Sequence, residues 1–162
     1  MQQKQKVSFE HFLEKFPEIE LPITLSDDSA IEFSKNNDPL PSRIIHEFID
    51  DQEDEFTEYI ACLRIPKTLD FHAIIYRKAA LLNYQYVLAT YDKKGKLIDK
   101  SAIAGTYSNG KSLTKSVATI EEDWIIYIVS GQTAANASTY DPTTSNAFNL
   151  ELLATGEIIS NT

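Results

Sequence analysis

Two side chains of this sequence have the chemistry of a nucleophile with its base. Cys62 is the only cysteine, and His72 lies shortly after it. The flanking segments, 57–65 and 70–79, carry the period-2 patterning of adjacent strands. An imidazole beside a thiol takes its proton and leaves the reactive thiolate. With a tight connection around Pro66-Lys67-Thr68, the register that sets Cys62 opposite His72 also sets Arg64 opposite Asp70. A shift of two residues sets Cys62 opposite Ile74 and Glu58 opposite Lys78, which is chemically as good. No orienting third residue or oxyanion-hole signature accompanies the pair, so no catalytic residue is assigned, and a structural, half-buried thiol is the alternative.

A second concentration of chemistry is acidic. Glu47, Asp50, Asp51, Glu53, Asp54, Glu55 and Glu58 follow one another closely, and Glu121-Glu122-Asp123 forms another cluster. A calcium loop of the EF-hand type needs a glycine at its sixth position, and no glycine precedes Gly95. These carboxylates therefore read as solvated loops able to meet a basic partner. His11 and His46 lack a second ligand at zinc spacing, so no metal site is expected. Phosphate-cradling glycine loops, the nucleophile elbow and the dinucleotide fingerprint are all missing, and no cofactor is expected. Tyr59, Tyr76, Tyr84, Tyr86, Tyr91, Tyr107, Trp124 and Tyr127 fall on predicted strands, where a curled sheet would gather them around a ligand cavity. Tyrosines also suit half-buried strands for packing alone.

The elements that must position these residues follow from patterning. Val7 to Pro17 predicts a short helix with Ser8 as N-cap, a Val7–Phe12 staple and one face of Phe9, Phe12, Leu13 and Phe16. Residues 18–38 predict an extended piece around Leu21 to Leu25, an edge strand at most because of Pro22, then a polar connection. Residues 38–49 predict a second amphipathic helix built on Leu40, Ile44, Ile45, Phe48 and Ile49. Strands are predicted over 57–65, 70–79, 83–91, 96–106, 113–121, 124–130, 147–154 and 157–160. Asp92-Lys93-Lys94-Gly95 fits a G1-bulge hairpin and Asn109-Gly110 a type I′ turn. Connections this short make neighbours antiparallel. In 83–91, Tyr84, Tyr86 and Leu88 face one way and Val87, Ala89 and Tyr91 the other, so both sheet faces need cover. Residues 131–146 read as a long irregular loop of the kind that is functional or mobile.

The expected fold is a single α+β, mainly β domain: two short N-terminal helices within 1–55, packed on an antiparallel β-meander of about eight strands in 56–162, bent toward a barrel or sandwich. A chain of 162 residues buries enough surface to need neither disulfide nor metal. The formal charge is −9, with 24 acidic against 15 basic residues, which disfavours nucleic acid as a partner. No apolar run reaches the length of a membrane span or signal core, so a cytoplasmic protein is expected, as a monomer or weak homodimer. The functional expectation is a non-enzymatic interaction protein, an acidic inhibitor or immunity-type protein covering a basic partner. Asp50, Asp51, Glu53, Asp54, Glu55, Glu121, Glu122 and Asp123 are the candidate contacts. The alternatives are a small-ligand binder with a Tyr-lined pocket and an enzyme using Cys62 and His72.

Overall fold

The structure, a computed structural model, describes residues 7–50, 55–134 and 141–161. Helix α1 (Phe9–Glu14) starts where Ser8 accepts the His11 amide at 3.1 Å, and it stops short of Pro17. Its buried face of Phe12, Leu13 and Phe16 is the expected one. Strand β1 (Ile23–Leu25) then leads into α2 (Asp27–Asn36), where only a polar connection was expected. The reason is local. The Ser26 side chain accepts from the Ser29 amide while the Ser29 hydroxyl accepts from the Ser26 amide at 2.7 Å, a capping box that uses serine in place of the usual glutamate. Asp27 and Asp28 favour the first turn, and Ala30 and Phe33, one turn apart, bury the inner face. The second expected helix is shorter than 38–49. It comprises α3 (Ser42–Ile44), running on as a single π-helical stretch, Ile45–Ile49.

The strands are β2 (Glu58–Arg64), β3 (Phe71–Ala80), β4 (Asn83–Asp92), β5 (Leu97–Ser108), β6 (Ser112–Ile120), β7 (Ile125–Ala134), β8 (Asp141–Leu152) and β9 (Ile158–Ser160). They pair in chain order, each antiparallel to the next, as the short turns require. β1 joins as a further strand on β6, with Ile23 opposite Ile120. That site is open because β5 and β6 pair only over Gly105–Ser108 and Leu113–Ser116 before they part.

The Asp92 hairpin forms as expected. The Asp92 carboxylate accepts the amides of Lys94 and Lys96, each at 2.9 Å, and Gly95 takes the left-handed φ of 92°. The other hairpin differs. Gly110 has φ 89° but Asn109 is not left-handed, so Gly110-Lys111 forms the loop with the φ pattern of a II′ turn rather than I′. The Asn109 side chain accepts the Lys111 and Ser112 amides, fixing it as an Asx turn. Much of 131–146 is also strand and not loop: β7 runs to Ala134, paired with Ser112, and β8 starts at Asp141. Backbone pairing extends that ribbon where apolar patterning gave no signal. Residues 135–140 lie outside the described residues.

The sheet curls over an inner core of Leu25, Phe33, Leu63, Phe71, Leu88, Ile120 and Ile126, among others, without closing into a barrel. Where the curl returns on itself, the Ile158 amide donates to the Asp99 carboxylate at 2.9 Å, and the buried Thr90 hydroxyl donates to the Gly156 carbonyl at 2.6 Å. An outer core lies on β2–β4, where Phe12, Phe16, Leu40 and Ile44 cover Tyr59, Tyr76, Val87 and Tyr91. Burying each of these phenylalanines contributes about 1.5–3 kcal/mol, which holds α1 in place despite its length. Tyr86 and Leu88 face inward and Val87, Ala89 and Tyr91 outward, the alternation read from the sequence. The free edge of β2 is covered by the same N-terminal segment. The Arg64 amide donates to the Pro17 carbonyl at 2.8 Å, and the Leu40 amide to the Tyr59 carbonyl at 2.7 Å.

Candidate functional site

The strand geometry separates Cys62 from His72. β2 and β3 pair Ala61 with Tyr76 and Leu63 with Ile75, so Cys62 is the extra residue of a bulge and neither expected register forms. Its side chain is fully buried in the inner core, and its hydrogen bond goes to the Ile60 carbonyl. His72 pairs with Tyr91 and stands edge-on to Phe9, 5.7 Å between ring centres, on the helix-covered face. Burial pushes the Cys62 thiol up to about 12, only partly opposed by Arg77. Burial, then the charges of Arg64 and Lys93, lowers the His72 pKa. A protonated thiol and a neutral imidazole on opposite faces of a sheet make no dyad.

The described acidic candidates fall in two places. Asp50 ends the π-helical stretch, half-buried, and accepts from the Tyr59 hydroxyl at 3.3 Å. Glu55 is exposed, and Asp51, Glu53 and Asp54 lie outside the described residues. Glu121-Glu122-Asp123 forms the β6–β7 turn: the Trp124 amide donates to the Glu121 carbonyl at 3.0 Å and the Ile125 amide to the Asp123 carboxylate at 3.1 Å. Glu122 lines a 230 Å³ hollow with Glu20 and Lys67. Asp50 and Glu55 thus precede β2, and Glu122 lies past its far end, about 20 Å away for a strand of this length. Among the described residues no group of three metal-ligating side chains is assembled.

A different place gathers polar and aromatic groups. A cleft of about 540 Å³ lies between α2 and strands β3–β5, lined by Asp27, Ile31, Lys35, Arg77, Tyr84 and Thr106. The Arg77 guanidinium sits over the Tyr84 ring, 4.9 Å from its centre. Asp27, the only carboxylate on the wall among the described residues, is already engaged. One oxygen accepts from the Thr106 hydroxyl at 2.8 Å and the other meets the Lys115 ammonium at 3.3 Å. Among the described residues Arg77 has no ion-pair partner. Tyr86 closes the region from below, its hydroxyl donating to the Ser26 carbonyl at 2.8 Å, and burial pushes its pKa up to about 12.

A smaller hollow of about 190 Å³ opens where β5 leaves β6, sharing Tyr84 and Thr106 and bordered by Tyr107, Ile128 and Phe148. The expected gathering of tyrosines is therefore reduced to two. Tyr59, Tyr76, Tyr86 and Tyr91 are packed into the cores, and Tyr127 is exposed. Sequence reasoning missed Arg77 and all of α2. The signals present were an arginine inside the apolar run of β3 and the Ser-Asp-Asp-Ser start of a helix.

Comparison with known protein families, curated proteins and solved structures finds no match to this chain.

Proposed function

We propose that this is a non-enzymatic binding protein that holds a small molecule in the cleft between α2 and β3–β5. The observation that carries the reading is the cleft's wall. A volume of 540 Å³ is within the range of small-molecule sites, and a few polar groups converge there on an apolar, aromatic surface. The separation of Cys62 from His72 supports a role without covalent chemistry. Native mass spectrometry of protein purified under mild conditions tests the reading. The expected spectrum contains a bound small molecule that is lost on denaturation. A bare chain, together with no thermal shift from a fragment library, would sink it.

A second reading, an acidic inhibitor of a basic protein partner, rests on the charge of −9 and on the exposed Glu122 and Asp123. It predicts association that is tight at low salt and lost as salt rises, because such contacts are screened within about 10 Å at 0.1 M. Pull-downs at two salt concentrations decide it. A stoichiometric partner retained in high salt, or no partner in low salt, counts against it.

A further inference from the structure

The ligand class follows from how the charges of the cleft are distributed, given that the cleft is a ligand site. We infer that it takes a small carboxylate with an apolar body, the carboxylate engaging Arg77 and the body lying against Tyr84 and Ile31. Three observations support this.

Arg77 is a half-buried cation without an anionic partner among the described residues. Its stem rises from β3 beside the buried Cys62, its guanidinium rests on Tyr84, and no acidic side chain among the described residues pairs with it. A guanidinium placed over an aromatic ring keeps its planar fork of donors for a planar, bidentate acceptor. Asp27, the one acid on the wall among the described residues, is neutralised by Lys115 and hydrogen-bonded by Thr106, and Lys35 adds a second exposed cation. The cleft is thus locally positive although the chain carries −9 overall. Local charge decides here because distant surface carboxylates are screened beyond about 10 Å at ordinary salt.

The apolar part of the wall selects the rest of the molecule. Ile31 is 57% exposed and Tyr84 42%, both on this wall, and covering them removes apolar surface from water.

The test uses three probes of one shape on the full chain: 4-phenylbutyrate, 4-phenylbutan-1-ol and 4-phenylbutylamine. Dissociation constants come from titration followed by amide chemical shifts, which also locate the binding. The butyrate should bind at least tenfold more tightly than the alcohol and shift the amides of Ile31, Tyr84 and Thr106. Arg77→Gln should abolish the preference for the butyrate, whose affinity falls to that of the alcohol in the same variant. Arg77→Met, which keeps the stem over the ring, should do the same, so that a folding defect in one variant does not decide the matter. Equal or tighter binding of the alcohol or amine in the cleft, or a butyrate affinity indifferent to both variants, overturns the carboxylate inference and leaves the cleft as a site for another ligand. Failure of all three probes at millimolar concentration also overturns it. The cleft reading falls as well only if the protein emerges bare from native mass spectrometry and no fragment shifts its melting temperature.

Discussion

Raising the pH should unfold this protein abruptly, because four weak acids are buried in their protonated forms. Burial raises the pKa values of Tyr76, Tyr91, Tyr86 and Cys62, the last two to about 12. In Tyr76 the neighbouring Tyr59 and Asp50 add to the effect of burial, and in Tyr91 the neighbour is Tyr76. Each group keeps its proton in the fold above the pH at which the unfolded chain releases it. Stability is therefore full below the unfolded pKa, 9.0 for the thiol and 10.0 for the phenols, and is lost as pH rises toward the folded value. The loss is about 1.4 kcal/mol per group and pH unit. Near pH 11 the four together remove about 7 kcal/mol, comparable with the whole stability of about 5–15 kcal/mol usual for a domain. Fluorescence of Trp124, which packs edge-on against Phe71 at 5.8 Å, reports the transition. Tyrosinate absorbance followed in parallel should show the buried phenols ionising in the same step. Tyr76→Phe removes one of the four acids, so its transition should be less steep and lie at higher pH. A protein that stays folded to pH 12, or a transition with the steepness of a single proton, would refute the reasoning.

Other consequences can be checked directly. Iodoacetamide should label Cys62 far more slowly than an exposed thiol at neutral pH, since raising the pKa from 9.0 to about 12 lowers the thiolate fraction about a thousandfold; rapid labelling of the native protein would contradict its burial. Gly105→Ala should lower stability by about 3 kcal/mol, roughly 6–12 °C in melting temperature, because φ is 147° and a Cβ there runs into the Tyr84 carbonyl. The same variant should weaken any ligand bound beside Tyr84 and Thr106. Phe12→Ala should cost about 3–5 kcal/mol in urea unfolding, since the ring is fully buried among Phe9, Phe16, Phe48 and Tyr91.

Most of the meander was legible because its turns are chosen locally. The Asp92 carboxylate and Gly95 settle their hairpin within five residues, and the alternation of Tyr86 and Leu88 with Val87, Ala89 and Tyr91 assigns two faces without knowledge of what covers them. The register of β2 on β3 was not legible. A bulge consumes one residue, and nothing in a run as uniformly buried as Tyr59 to Leu63 marks Cys62 as that residue. Helix α2 escaped because it buries only Ala30 and Phe33, too few for a helical period to stand out from its polar face. The cleft was least legible of all. Arg77 matters because Asp27 is engaged elsewhere, and that engagement joins a helix to Thr106 and Lys115, paired neighbours on β5 and β6 some eighty residues further along the chain.

The pairing of β1 with β6 sets the order of manufacture against the order of assembly. Ile23 finds its partner only once Ile120 has been made, which at the usual speed of synthesis is a delay of roughly 5–20 s. The hairpins from β3 to β5 need only their own turns and can form while the ribosome is still working. During that interval the inner core is open on the side of β6, and β1 has no strand to pair with. Leu25, on β1 itself, is a side chain that ends fully covered. A polypeptide built this way carries its first strand unpaired until the sixth arrives.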